Sequence, residues 1–303
     1  MAKCNPWKVV LLVVAVVVYI TMSAFNALAG TGPSMEITYF TPPLDQVKGT
    51  KLDHNRGPFV SLCSLLKNVS DKYRTDFTPA GWTFGIWGVI YLWQALWIIY
   101  SLTGLCRRKA QAWIHSVVPY PFFIIWIINN LFNIGWIFLW DREYLITALV
   151  FLALIAFTNY TALFFSYYAL NKQGPWLQKH SKVDLWLVRI LVQNGIVVYA
   201  TWPTIATLLN FAIELTYSAN VDIYTSGTVA LSILAFQVVL WYVLVLFCLE
   251  NFVLDKYVHY TLTVYPVVIV ALSGFLNNNF NINSPSRNNI YIGEYGQDFE
   301  EEV

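Results

Sequence analysis

Charge is what this chain has least of. Charged residues make up 12% of its 303 residues, about half the share of an ordinary soluble domain. They are missing above all from long apolar runs of roughly 20 residues or more, the length that crosses ~30 Å of hydrocarbon as a helix. A soluble globular domain is thereby excluded. The net charge of +1 leaves no cationic surplus for a phosphate backbone, so nucleic acid is not expected as a partner. The four cysteines, Cys4, Cys63, Cys106 and Cys248, lie far apart and show no CxxC or metal-ligand spacing. Neither a metal site nor a disulfide within the chain is expected. Carboxylates are missing from the middle of the runs and Arg189 lies near an end, which argues against an ion path. No lysine sits mid-run for a retinal Schiff base, because Lys256 falls in a link. No nucleophile–base pair stands out, and His115, His180 and His259 fall near helix ends, so an enzyme is not expected.

What remains is an all-α integral membrane protein. Lipid tolerates only helices or closed barrels, and these runs are too long and continuous for barrel strands. The apolar pattern predicts seven transmembrane helices, at roughly 8–28, 80–103, 114–140, 144–170, 185–213, 227–249 and 258–276. The first run shares features with a signal peptide, but its apolar stretch is long for a signal core. Lysines and arginines gather before the first helix (Lys3, Lys8), after the second (Arg107, Arg108, Lys109), after the fourth (Lys172, Lys179, Lys182) and after the sixth (Lys256). By the positive-inside rule the N-terminus is cytosolic and the C-terminus outside. The long link 29–79 is then an outer loop and carries the glycosylation sequon Asn68-Val69-Ser70. A plasma membrane or endomembrane is expected rather than a mitochondrial one. The stretch 277–303 is Asn-rich with an acidic end, and reads as a solvated, partly disordered tail.

Several spans carry groups that lipid does not reward. Trp126, Asn129, Asn133, Trp136 and Trp140 share one face of the third helix. A lone amide in hydrocarbon costs several kcal/mol, so this face should point inward. The asparagines by themselves suit interhelical bonding. The indoles beside them suit a small-molecule cavity, because close helix packing favours small residues. On the second helix Trp87 and Tyr91 lie one turn apart, and Gly81 and Gly85 form a GxxxG pair that permits a homodimer. On the fifth, Tyr199, Trp202, Ala206, Leu209 and Asn210 form one inward face, and Pro203 frees the carbonyl of Tyr199. Arg189 either snorkels to the headgroups or pairs inside the bundle.

Three motifs carry a resemblance. Pro79-Ala80-Gly81-Trp82-x4-Trp87-x3-Tyr91, Asn133-x2-Trp136 and Trp202-x3-Ala206-x2-Leu209-Asn210 are similar, in order and spacing, to motifs of the translocator protein (TspO, tryptophan-rich sensory protein) family. The resemblance covers residues 7–213. It implies a five-helix bundle, residues 1–213, around a hydrophobic cavity that binds porphyrin-like, sterol or other drug-like aromatic ligands, with 29–79 as a lid. Asn133, Trp136, Trp202, Ala206 and Leu209 would line the cavity. Trp87, Tyr91, Asn129 and Tyr199 complete the candidate ligand-binding set. Helices six and seven, within 214–276, are two additions that resemble longer, seven-helix relatives. The aromatic–basic sterol pattern is missing, since Phe211 stands where its tyrosine would be.

A receptor or carrier for a small hydrophobic ligand is therefore the leading expectation, with no cofactor required and membrane lipid as the surrounding partner. The alternative is a transporter or channel for a small neutral solute along the polar line Gln94, Asn129, Asn133, Asn194 and Gln237.

Overall fold

A peptide group in hydrocarbon finds no water, so each span must bond its own backbone. The computed structural model, which describes residues 6–28, 58–106, 117–251, 260–280, 286–290 and 292, is helical accordingly. The early part of the expected lid (29–57), the basic link 107–116, Lys256, His259 and the acidic C-terminal stretch lie outside the described residues.

The elements are α1 (Pro6–Leu28), α2 (Pro58–Lys72), a 3-10 turn (Gly81–Gly85), α3 (Ile86–Cys106), α4 (Tyr120–Asp141), α5 (Leu145–His180), α6 (Lys182–Tyr217), α7 (Ile223–Asn251) and α8 (Val264–Asn279). Six of these are long and apolar enough to cross a membrane. The seventh expected span, α8, has 16 residues, about 24 Å at 1.5 Å per residue. It is preceded by a non-helical stretch, 260–263, which Asn194 ties in. Asn194 Nδ2 donates to the Tyr260 carbonyl (2.9 Å), and its Oδ1 accepts from the Leu262 and Thr263 amides (3.2 and 3.3 Å). From there α8 runs to the level of Thr78, where Asn278 Nδ2 donates to the Thr78 carbonyl at 3.0 Å.

Helices α1, α3, α4, α5 and α6 form the bundle, α7 and α8 pack on α6, and α2 packs on α1 and the 3-10 turn. Amides stitch the spans. Asn129 Nδ2 donates to the Ile155 carbonyl (2.8 Å) and to Thr158 Oγ1 (2.7 Å), and Asn210 Nδ2 donates to the Leu145 carbonyl (3.1 Å). Pro203 has no N–H to give the Tyr199 carbonyl. Asn159 Nδ2 supplies that bond instead, at 3.0 Å.

Within the bundle the structure departs from the sequence pattern in three places and decides between the two readings of Arg189. Helix α5 continues through Gly174-Pro175 to His180, because Leu170, Gly174 and Leu177 are buried where this overhang meets the start of α6; tertiary packing overrides the local break. Residues Val188–Asn194 within α6 form a π-helical turn. Its loosened carbonyls are answered from α3, with Trp93 Nε1 donating to Ile190 (3.2 Å) and Gln94 Nε2 to Gly195 (3.1 Å). Arg189 stays within the bundle, its guanidinium 3.9 Å from the centre of the Tyr260 ring. The Gly81–Gly85 pair lies in the 3-10 turn rather than on a helix face. A Cβ on Gly81 would come 2.7 Å from the Lys67 side chain of α2, so the space at Gly81 serves a contact within the chain.

Candidate functional site

The hollow expected at the bundle centre exists, but it is almost closed. A cavity of about 20 Å³ lies between Leu66, Pro79, Phe84, Trp87, Trp136, Trp140, Leu152, Trp202, Ile205, Ala206, Leu209 and Phe275. That is room for one water-sized sphere. The lining comes from α2, the Pro79 segment, the 3-10 turn, α3, α4, α5, α6 and α8. Helical spacing explains the α4 contribution, since Trp136 and Trp140 are one turn apart on the inward face.

The walls are aromatic and buried. Trp87 and Trp136 stack with centroids 5.0 Å apart and planes at 25°. Trp140 follows at 6.3 Å from Trp136. Trp136, Trp140 and Trp202 are each at most 3% exposed. The indole N–H of all three is buried and meets no acceptor among the described residues. An unmet buried donor costs about 1–3 kcal/mol. Three around one small void is an arrangement that closed packing alone would not favour.

Five of the nine expected site residues line this cavity: Trp87, Trp136, Trp202, Ala206 and Leu209. The other four do not. Tyr91, Asn133 and Tyr199 belong to a polar chain beside the cavity that passes through Asn26 on α1. Tyr91 donates its hydroxyl to Asn26 Oδ1 (2.6 Å), Asn26 Nδ2 donates to Asn133 Oδ1 (2.9 Å), and Asn133 Nδ2 donates to the Tyr199 hydroxyl (3.1 Å). Asn129 faces α5, as above. In these four positions the side chains bond helix to helix, which for the two asparagines is the interhelical reading. The wall residues missing from the expected set are of two kinds. Trp140 is on the inward face that spacing gives to Trp136, but the resemblance does not include it in the ligand-binding set. Leu66, Phe84, Leu152, Ile205 and Phe275 are ordinary apolar residues whose place in the wall depends on how distant elements pack.

The mouth side of the cavity is built from Leu66 on α2 and from the segment 75–80. Thr78 Oγ1 accepts from the Thr75 amide at 2.8 Å, which bends this segment so that Pro79 reaches the cavity. The far end of α2 is pinned to the α4–α5 turn, where Glu143 adopts a positive φ of 60°. Lys72 pairs with the Glu143 carboxylate, and the Tyr73 hydroxyl donates to it at 2.8 Å. No group of three or more His, Cys, Asp or Glu able to hold a metal occurs among the described residues.

The family model for TSPO-like proteins matches residues 64–285. The chain belongs to the TSPO-like protein family. No curated protein and no solved structure matches it. The match reaches past the motif-bearing part, so α7 and α8 lie within the family region rather than beyond it. This TSPO-like chain is a polytopic membrane protein, with a tryptophan cluster at the centre of its helical bundle.

Proposed function

We propose that this protein is a receptor or carrier that binds a small, flat, apolar ligand bearing hydrogen-bond acceptors, of tetrapyrrole-like or sterol type, in the cavity between Trp87, Trp136, Trp140 and Trp202. The observation that carries this reading is that three indoles lining one void each hold a buried N–H that meets no acceptor among the described residues. A ligand carbonyl or carboxylate would supply what the protein withholds, while the stacked rings of Trp87 and Trp136 offer an aromatic face. Sites for such ligands measure about 300–1,000 Å³, so the 20 Å³ void is a closed state and binding moves a wall. By the positive-inside reading the mouth, with α2 above it, faces away from the cytosol. No catalytic chemistry and no cofactor enter this reading.

Titrating the protein with protoporphyrin IX and following tryptophan fluorescence tests it. Saturable quenching that weakens in Trp202→Ala supports the site. Quenching that does not saturate, or that is unchanged in the variant, refutes it. The transport alternative gains little from the amides that would line its path. Gln94, Asn129, Asn133 and Asn194 are each engaged in bonds to neighbouring segments, while Gln237 keeps a buried Oε1 that meets no donor among the described residues.

A further inference from the structure

If binding needs a wall to move, the question is which wall. The inner walls are helices α4, α5 and α6, joined to each other mid-span by the Asn129 and Asn159 bonds and at the start of α5 by the Asn210 bond. The outer wall is different. It includes Phe275, 1% exposed and contributed by α8, whose ring lies 4.1 Å from that of Phe77. The backbone of α8 touches the mouth directly. Ala80 donates its amide to the Gly274 carbonyl at 2.9 Å. A Cβ on Gly274 would sit 2.2 Å from Thr83 Oγ1, so a glycine is what lets α8 come this close.

Behind Phe275 the asparagines act as a latch. Asn279 Nδ2 donates to the carbonyls of Thr78 (2.9 Å) and Asp76 (3.2 Å). Asn288 Nδ2 donates to the Asp76 carboxylate and to the Tyr224 carbonyl (3.0 Å), and its Oδ1 accepts from Thr228 Oγ1 at 2.7 Å. Asn289 Nδ2 returns to the Asn279 carbonyl at 2.8 Å. Asn288 and Asn289 are 1% and 3% exposed. The part of the tail described here is therefore not the solvated tail that its composition predicts. It is folded against the mouth segment that carries Pro79, and bridges it to the start of α7.

From this geometry we infer that Phe275 is a stopper, held in place by the Asn279–Asn288 latch, and that it sets the size of ligand the cavity admits. The inference rests on the ligand-binding reading above for its purpose, but the stopper itself can be tested without any ligand. With Phe275 seated, the void admits one water. With α8 tilted away from Thr83, the tryptophan layer opens to the outer end of the bundle. The latch sits at the water-facing end and is the part of the wall that can open locally without disturbing the mid-span bonds.

The test uses the full chain in detergent, with its four cysteines replaced by serine and Ala206→Cys placed on the cavity wall. The rate of modification by a water-soluble methanethiosulfonate reports access. Asn288→Ala removes three latch bonds, one of them to a carboxylate, and should speed labelling by at least about tenfold. Phe275→Ala should speed it at least as much, and Phe275→Trp should slow it. Asn288→Ala and Phe275→Trp leave a side chain in the stopper position, so they decide the matter even if Phe275→Ala unfolds. Equal labelling rates in the parent, Asn288→Ala and Phe275→Trp would overturn the inference. So would acceleration by Glu143→Gln but not by Asn288→Ala, which would make α2 the moving wall. Protoporphyrin IX quenching is measured on the same variants. Labelling that responds while no variant shows saturable quenching would retain the stopper and reject the ligand reading.

Discussion

Two polar layers lie close together in the same bundle, and they differ in one respect. In the first, Asn26 and Asn133 are engaged at both ends of their amides, with Tyr91 and Tyr199 completing the chain. In the second, Trp136, Trp140 and Trp202 hold buried N–H groups that meet no acceptor among the described residues. The first layer is finished without a ligand, and the second is not. Polarity inside a membrane protein therefore does not by itself mark a binding site. Unmet donors on residues that line a void are a more selective sign, and they are what the proposed ligand reading rests on.

The strongest way to break the contrast is Asn133→Leu. It removes the α1–α4 bond from Asn26 Nδ2, which keeps only acceptors on Met22 within its own helix, and it removes the donor to the Tyr199 hydroxyl; a buried group left unmet costs about 1–3 kcal/mol. The thermal midpoint in detergent should fall clearly, while porphyrin affinity of the folded fraction changes little. A large loss of affinity with unchanged stability would place Asn133 in the site after all.

Trp202→Phe should do the reverse. It keeps a ring and removes a donor that the closed state leaves unpaired, so stability should hold or rise slightly. Binding should weaken by about tenfold, the equivalent of one ligand hydrogen bond of roughly 1.4 kcal/mol. The check is a thermal melt beside a porphyrin titration. A drop in stability with no change in binding would mean that the indole N–H serves the fold.

The same contrast explains what could be read in advance. The helical membrane architecture was legible because apolar runs of that length have few other uses. Trp87, Trp136, Trp202, Ala206 and Leu209 were legible because helical spacing puts them on inward faces. Tyr91, Asn129, Asn133 and Tyr199 share those faces, and spacing cannot say whether an inward amide meets a neighbour or a void. That depends on Asn26, more than a hundred residues from Asn133, and on α5. Phe275 was illegible for a related reason. It is one phenylalanine among 20, and only the docking of α8 on Thr83 gives it a role. Composition misread the tail, since Asn-rich stretches are normally solvated, whereas here their amides find carbonyls in the mouth segment.

The smallest predicted effect concerns α2, the other part of the outer wall. Burial pushes the Glu143 carboxyl up, but the hydrogen bonds from Lys72 and Tyr73, together with the Lys72 charge, outweigh it and leave the group below its ordinary value. The bond to Glu143 in turn raises Lys72. A lowered carboxyl stabilises the folded form fully above its unfolded value of 4.5, and that contribution is lost as pH falls through the lowered folded value. A raised lysine contributes fully below 10.5 and loses its share as pH rises through the raised value. The pin should therefore hold across neutral pH and release at both extremes. The pair is partly exposed, with side chains 55% and 34% accessible, so it is worth no more than about 1 kcal/mol. A spin label at Asn68→Cys, an exposed position on α2, should gain mobility as pH drops below the ordinary carboxylate value. Glu143→Gln should show that mobility already at neutral pH and lose the acid step. If the acid step survives in Glu143→Gln, another group controls α2, and the outer wall is held by the α8 latch without this pin.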